Sequence, residues 1–336
     1  EEAVAWKHIR GFMRRGRRRR LWRAAFKYAA AVVVLVAIPF AIWQSVDGWH
    51  GGGTPVGENM PIVPGSFRAV LTTASGDKVE LNPEDLRRID VGSRGKATNG
   101  AGGLVYTRQE RVAIVEYNTV YTPFGGEYTV ELEDGTKVYM NSGSSLRYPV
   151  VFNDSVREVY FSGEAYFEVR TDSTRCFVAH VDAVDLQVYG TSFNVNSFGG
   201  IEAVLVSGSV GVLGKDGLEH RLKPSQLIEY DSVGRFVQVE DVDPQVYLAW
   251  KNGYFFFDDK SLEEVLATLG RWYDVEFSYA PAELRDMHFT GHTEKYEDIN
   301  VILNAIEKIV DVRFEINGRT ITVKKQVEIS SRPPRM

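Results

Sequence analysis

The chain has 336 residues, of which 44% are apolar and 25% are charged. These values are ordinary for globular proteins, so extended disorder is excluded, and the length suits about two domains. The formal net charge of −6 hides an asymmetry, because ten basic residues and no acidic residue lie between Lys7 and Lys27. A basic head joined to an acidic body indicates that the head faces a membrane or another polyanion.

An apolar run follows the basic head directly. Residues 24–46 contain no ionisable side chain except Lys27 and the phenol of Tyr28, and a run of about 20 apolar residues can cross a bilayer as a helix. We therefore predict a single transmembrane helix at 24–46. A cleaved signal peptide is the less favoured alternative, since its apolar core would be shorter. Because the basic residues precede the helix, segment 1–23 is expected in the cytoplasm.

The cysteine content bears on the compartment of the exported body. Cys176 is the single cysteine of the chain, so no intramolecular disulfide can form. An exported body without disulfides is typical of a bacterial periplasm, where a chain of this length relies on its own hydrophobic core. The expected location is the inner membrane, crossed once, with the N-terminus in the cytoplasm and the body in the periplasm.

The next two regions are predicted to be a linker and an all-β domain. Residues 47–66 are rich in glycine and proline, which is typical of a linker. Residues 67–245 alternate short apolar stretches with glycine turns, which predicts many short strands. At Asp134-Gly135 a two-residue turn would set Leu132 opposite Lys137, so we expect a three-residue loop or a corner onto a stacked rung. This favours a twisted, solenoid-like β domain, with a β-sandwich as the alternative.

Residues 246–325 are predicted to form a small α/β domain. The helical period appears at 261–273, where Ser261 and Glu264 can form a capping box, and again at 298–311. Strands are predicted on both sides of each helix, at 254–257, 275–279, 287–291 and 312–316. Asn317-Gly318 predicts a closing hairpin with Phe314 opposite Ile321. Residues 326–336 are a predicted tail.

The predicted fold class is therefore a single transmembrane helix, an all-β twisted solenoid-like periplasmic domain and a small α/β C-terminal domain of two β-α-β units. The aromatic strand at 254–257 is predicted to be buried on both faces.

Few residue patterns in the sequence indicate catalysis or metal binding. No phosphate-binding glycine loop, zinc spacing or nucleophile elbow occurs. His288 and His292 are close in sequence but lack the further ligands that a closed metal site needs, so no metal and no cofactor is predicted. Glu164 and Glu168 are predicted to lie on one face of a strand, where they could resemble the carboxylate pair of a glycosidase. On an acidic protein we interpret them instead as part of a solvated stripe of acidic side chains.

The dipeptide Gly190-Thr191 is the candidate reactive site. The hydroxyl of Thr191 can attack the carbonyl of Gly190 and convert the amide to an ester, which water then hydrolyses. Glycine permits the strained backbone that this needs. A β-corner followed by a strand is the plainer interpretation of the same dipeptide.

Seven segments together carry a family resemblance. They lie at 117–119, 122–128, 132–138, 146–149, 157–159, 163–169 and 190–195. These segments resemble the periplasmic domain of FecR-type anti-sigma factors in the form typical of Bacteroidota. Residues 246–325 resemble the domain that follows in that family, which is similar to the short N-terminal domain of secretins and TonB-dependent transducers.

The resemblance implies a non-enzymatic, single-pass inner-membrane regulator. It would relay the state of a substrate-loaded TonB-dependent outer-membrane transducer, sensed through the transducer's signalling domain, to an extracytoplasmic-function sigma factor in the cytoplasm. No direct contact with nucleic acid is implied. Some members cleave themselves at the Gly-Thr that matches Gly190-Thr191. We expect the C-terminal domain to contact the signalling domain by sheet-edge pairing.

One departure from the family concerns the N-terminus. Family members usually carry a longer cytoplasmic region that holds the sigma factor, whereas segment 1–23 precedes the predicted helix here. Sigma binding is therefore expected from the resemblance alone. The alternative function is a membrane-tethered periplasmic scaffold or glycan-binding module without a sigma partner.

Overall fold

The computed structural model describes residues 61–326 except 93–94, 108–114, 153–154 and 216. The predicted transmembrane helix at 24–46 lies outside the described residues, as do segment 1–23, most of the predicted linker and nearly all of the predicted tail. Among the residues that are described, no helix has the length and apolarity needed to cross a membrane.

Twenty short strands make up the first part of the described chain. In chain order they are β1 (Ser66–Phe67), β2 (Ala69–Thr72), β3 (Lys78–Leu81), β4 (Arg87–Asp90), β5 (Lys96–Gly100), β6 (Gly103–Tyr106), β7 (Tyr117–Tyr121), β8 (Gly126–Glu131), β9 (Lys137–Met140), β10 (Ser145–Pro149), β11 (Val156–Ser162), β12 (Glu164–Glu168), β13 (Cys176–Val181), β14 (Val184–Val188), β15 (Ser192–Asn196), β16 (Ile201–Ser207), β17 (Val210–Leu213), β18 (Glu219–Leu222), β19 (Gln226–Tyr230) and β20 (Phe236–Asp241).

These strands form two sheets. Sheet A has the order β20-β19-β16-β15-β12-β9-β8-β6-β5-β4, with β1 beside β8, and sheet B has the order β18-β17-β14-β13-β11-β10-β7-β2-β3. The chain passes repeatedly from one sheet to the other, commonly after a pair of strands. We call the two sheets together the sandwich.

The inner faces of both sheets share one hydrophobic core. Strand β8 alternates between buried and half-buried residues along its length, as expected for a strand with one face on a core. Phe167 of sheet A and Phe177 of sheet B, both fully buried, meet edge to face with ring centres 6.4 Å apart. The contact joins the two sheets directly.

The structure corrects the predicted solenoid. Stacked rungs would give mainly parallel neighbours, but the parallel pairs among the described strands of the sandwich are β1 with β8, β6 with β8 and β11 with β13. At Asp134-Gly135 the chain makes a three-residue loop, in which the amide of Leu132 donates to the carbonyl of Thr136 at 2.8 Å, and Val130 then lies opposite Val138. The loop returns the chain along its own sheet as a hairpin, so no rung begins there. The β-sandwich was the correct alternative.

The C-terminal part has few helices and two small sheets. Its elements are the helical turn α1 (Pro244–Tyr247), a 3-10 turn (Trp250–Asn252), β21 (Tyr254–Ser261), α2 (Leu262–Tyr273), β22 (Glu276–Ala280), a 3-10 turn (Ala282–Asp286), β23 (His288–Glu294), α3 (Ile299–Ile309), β24 (Val312–Asn317) and β25 (Thr320–Lys325). We call residues 242–253 the connector and residues 254–325 the module.

Both predicted helices of the module form. Ser261 and Glu264 make the predicted capping box of α2, and the side chain of Asp298 accepts a hydrogen bond at the start of α3. The predicted β-α-β units are wrong, however, because the strands that flank each helix lie in different sheets. Strand β21 pairs with β23, while β22, β25 and β24 form a separate three-stranded sheet.

Two further details of the module differ from the prediction. Strand β21 is not buried on both faces, since Tyr254 and Phe256 are exposed while Phe255 and Phe257 are buried. The closing hairpin pairs Phe314 with Val323 and not with Ile321. The turn therefore lies at 318–319, where Gly318 has a left-handed φ of +62°, and apolar residues remain paired in this register too.

The predicted fold class is thus wrong as a whole. The described chain is mostly β-sheet with few helices, and its β part is a two-sheet sandwich. The module has a hydrophobic core of its own, separate from that of the sandwich. Residues 60–336 nevertheless form one compact unit, so the surface between sandwich and module is the place where the two parts act on each other.

Candidate functional site

A buried lysine lies at the contact between the module and the sandwich. Lys295, which follows β23, has a fully buried side chain, and its Nζ donates to Glu127 Oε2 at 2.6 Å and to Asn141 Oδ1 at 3.2 Å. The same Nζ lies 3.9 Å from the centre of the Trp272 ring and 5.4 Å from that of Trp250. Burial lowers the pKa of Lys295, and the charge of Glu127 opposes that shift. A cation so placed is held by an ion pair and by ring faces together.

A second carboxylate, that of Glu164, lies beside this ion pair. Oε2 of Glu164 accepts a hydrogen bond from Nδ2 of Asn141 at 2.7 Å, so Asn141 links Glu164 to Lys295. Burial raises the pKa of Glu164, while Asn141, Arg271 and Lys295 act in the opposite direction. The guanidinium of Arg271 stacks on the ring of Phe198 at 4.0 Å. The interpretation of Glu164 as part of a solvated stripe is therefore wrong.

The charges at this contact are divided by domain. Lys295 and Arg271 belong to the module, whereas Glu127 and Glu164 belong to sheet A of the sandwich. Glu127 also accepts a hydrogen bond from the hydroxyl of Tyr296 in the module. The two surfaces are thus electrostatically complementary, a property that fixes the register of an interface.

Glu168 is the other acid that the sequence placed beside Glu164. It accepts a hydrogen bond from the phenol of Tyr139 at 3.4 Å.

The connector forms the apolar part of the contact. Leu248 and Trp250 pack against Tyr166 on the outer face of sheet A, and Nε1 of Trp250 donates to Oδ1 of Asn194 at 3.2 Å. Next to them, Nζ of Lys251 lies 4.3 Å from the centre of the Tyr139 ring. The connector therefore packs on the sandwich, and the first strand of the module follows it directly in the chain.

The predicted reactive dipeptide lies at a sharp corner between β14 and β15. Gly190 has φ +153°, and a Cβ there would come within 2.5 Å of Oγ1 of Thr171, so glycine is required. Thr191 is buried, and its hydroxyl donates to the carbonyl of Ser209 at 2.9 Å. A carbonyl oxygen does not act as a general base, so the hydroxyl must leave this partner before it can attack Gly190. Self-cleavage at Gly190-Thr191 stays a prediction.

His288 lies next to an acidic side chain. Nδ1 of His288 lies 3.0 Å from Oδ1 of Asp259, and both side chains are exposed. Within the part of the chain that the structure describes, no group of three or more His, Cys, Asp or Glu side chains is arranged to hold a metal ion.

No sequence pattern predicted a role for Lys295, Trp250 or Trp272. Trp272 is a large buried ring near the end of α2 and belongs to the module core, but the apolar period predicted for that helix did not include it. Lysine is among the residues that are most rarely buried, so no sequence pattern marked Lys295. Glu127 appeared only within the segment 122–128.

Two family models match the chain. One is described as "FecR protein" and matches residues 118–211, within the sandwich, and the other is described as "FecR, C-terminal" and matches residues 254–323, within the module. No curated protein matches the chain.

Among solved structures, the chain is similar to a candidate anti-sigma factor from Parabacteroides distasonis ATCC 8503. Its crystal structures at 1.65 Å and 2.50 Å are each 27% identical to this chain, with a TM-score of 0.58. The similarity covers 62% of this chain and 98% or 99% of the other.

Proposed function

The chain belongs to the FecR family, and from that premise we propose that it acts as an anti-sigma factor, a regulator that restrains a sigma factor. One observation carries the proposal. The two FecR models match in order, one within the sandwich and the other over most of the module, and the similar solved structure bears the description of an anti-sigma factor. The role is regulatory, and the dipeptide Gly190-Thr191 is its one proposed reactive site.

The proposed partners are an extracytoplasmic-function sigma factor in the cytoplasm and the signalling domain of a TonB-dependent outer-membrane transducer in the periplasm. The support for these partners is the sequence resemblance. The proposed location is the inner membrane, with the described body in the periplasm, and the charge asymmetry of the sequence supports it. Protease added to intact spheroplasts should degrade the body, and its full protection would contradict this location.

The test of the anti-sigma role is co-purification. The full chain should retain a sigma factor of the same organism through washing at physiological salt, and a chain without residues 1–23 should lose it. Capture of glycan or of envelope proteins without any sigma factor would favour a periplasmic scaffold or glycan-binding module and would overturn the proposal.

The module is the proposed contact for the transducer. Strand β21 pairs with β23 alone among the described strands, and Tyr254 and Phe256 expose 47% and 42% of their surface on it. An edge strand with exposed aromatic side chains suits the addition of a partner strand. We expect Phe256→Ser to weaken binding of the signalling domain at least tenfold, whereas Val301→Ser, at an exposed site on α3, leaves it unchanged. Equal binding by both variants would refute this contact.

Self-cleavage is tested on the folded full chain. Incubation should yield a fragment that begins with Thr191, and Thr191→Ala should abolish that fragment while Thr191→Ser, which keeps a hydroxyl, restores it. If the wild-type chain remains intact after prolonged incubation, cleavage at Gly190-Thr191 is refuted, and the anti-sigma proposal is unaffected.

A further inference from the structure

Residues 61–68, which we call the strap, contact both folded parts of the protein. Ile62 packs against the module core, and Phe67 packs against the sandwich core. Between them, a Cβ built on Gly65 would come within 2.6 Å of the ring of Trp272. The strap therefore passes through the contact between sandwich and module, with its backbone directly against the tryptophan that also covers Lys295.

One short segment of the sandwich binds the strap and the module together. Strand β1 of the strap runs parallel to β8, with the amide of Ser66 donating to the carbonyl of Gly125 and the amide of Arg68 to that of Glu127, each at 2.9 Å. The amide of Gly125 donates to the carbonyl of Arg271 in the module at 2.7 Å. The carboxylate of Glu127 is the partner of Lys295.

The module is packed as a body of its own, joined to the sandwich through the connector. Its core is separate from the sandwich core, and the connector is fastened to sheet A through Leu248 and Trp250. Gly253 follows immediately, with a left-handed φ of +85° that favours glycine. A rotation about Gly253 would undock the module without unfolding either part.

The contact that such a rotation breaks combines the ion pair of Lys295 and Glu127 with hydrogen bonds and ring contacts. Buried ion pairs add little net stability compared with apolar packing, but they fix one arrangement of the parts that they join. Contacts between domains of one chain are in general polar enough to permit relative motion. Lys295 is thus suited to specify the docked position without making it permanent.

We propose that the module is a latch that clamps the strap. While Lys295 is seated on Glu127, Trp272 and segment 125–127 hold the strap against the sandwich, and undocking of the module about Gly253 releases it. The state of the module therefore determines how firmly the strap is held. This inference goes beyond the proposed function and requires no particular partner.

Hydrogen exchange of single amides in the full chain tests the latch. The amides of Ser66 and Arg68 report on the strap, that of Gly125 reports on docking, and that of Ala179 in β13 reports on the sandwich core. In Lys295→Met, exchange at all three strap and docking amides should accelerate by about tenfold or more, while Ala179 stays unchanged.

The matched control is Lys308→Met, which removes an exposed lysine of α3. It should change none of the four amides. If Gly125 accelerates in Lys295→Met but Ser66 and Arg68 do not, the module does not clamp the strap and the proposal fails. It fails equally if no amide accelerates, because Lys295 is then not the latch.

A second variant covers the case in which Lys295→Met unfolds the sandwich and Ala179 also accelerates. Ile62→Ser removes an apolar contact between the strap and the module core and changes no charged residue. Coupling between two contacts is reciprocal, so Gly125 should then exchange faster while Ala179 does not. An unchanged Gly125 in Ile62→Ser would overturn the proposal.

Discussion

Two fully buried cations have opposite roles in this protein. Arg157 lies inside the sandwich, where it donates to Asp134 at 2.8 Å and to the carbonyls of Arg170 and Arg175 at 2.9 and 3.0 Å. Every one of these partners belongs to the sandwich. Lys295 belongs to the module, and the carboxylate that pairs with it, on Glu127, belongs to the sandwich. The first cation ties loops of one domain together, and the second joins two domains.

The residue types suit these roles. The planar guanidinium of Arg157 spreads its donors over three acceptors in two loops, one between β8 and β9 and the other between β12 and β13, which makes it a local organiser. The ammonium of Lys295 is a compact charge on a flexible stem, and besides Glu127 it contacts the amide oxygen of Asn141 and the faces of two rings. We therefore expect loss of Arg157 to weaken the sandwich itself and loss of Lys295 to weaken the docking of the module.

The largest effect is expected for Arg157→Met. The substitution leaves Asp134 buried without its cation, and breaking a buried pair costs about 3–5 kcal/mol. Chemical denaturation should show this loss in the free energy of unfolding of the whole described body. Arg221→Met is the control, since Arg221 is exposed and pairs with Glu219 at the surface, so its change should stay within about 0.5 kcal/mol. Similar losses in both variants would contradict the role of Arg157.

Lys295→Met is expected to have the next largest effect, about 3 kcal/mol, concentrated on docking. In the wild type, unfolding followed by circular dichroism and by tryptophan fluorescence should coincide. In the variant, fluorescence should change at lower denaturant, because the module undocks first and Trp272 leaves the contact while Trp250 stays on sheet A. Coincident curves at an unchanged midpoint would show that Lys295 does not hold the module.

A smaller effect is expected inside the module. Gly318 has φ +62° with open space around it, so Gly318→Ala meets no atom but strains the backbone, at about 1 kcal/mol. Gly102 also has open space but no left-handed φ, and Gly102→Ala should leave the melting temperature unchanged. Equal melting temperatures for the two variants would indicate that the turn at 318–319 is not left-handed.

The smallest effect is a pH dependence at Glu164. Burial raises its pKa in the folded protein, so the folded state binds the proton more tightly than the unfolded state does. Between the ordinary pKa of 4.5 and the raised value, this group makes the protein less stable as pH rises. Glu164→Gln should remove that part of the slope in the stability against pH, and an identical slope would contradict the shift.

Local patterns predicted the module helices well. The capping box of Ser261 and Glu264 and the apolar period of α2 are short-range features, and both formed as predicted. The hairpin register failed because apolar residues can pair in two registers that differ by two residues, and the choice depends on which residue takes the left-handed position. At Asp134 both a hairpin loop and a corner onto a stacked rung fit the local sequence. The choice between them depends on contacts between distant strands.

The candidate site was largely beyond prediction. Glu164 was singled out for its spacing from Glu168, but Arg271 and Lys295, whose charges act on it, lie in a module about a hundred residues further along the chain. Lys295 carries no sequence signature because a lysine is expected at the surface. Its burial depends on Glu127, Asn141 and two tryptophans, which only the folded chain brings together.

The central claim is that Lys295 and Glu127 join the module to the sandwich, and a double-mutant cycle tests it most directly. The variants are Lys295→Met, Glu127→Gln and the two combined, each compared with the wild type through hydrogen exchange of the Gly125 amide. The account predicts that the double variant loses less docking free energy than the sum of the two single variants, by about 1 kcal/mol or more. Additive losses would show that the two side chains act independently and would contradict the account.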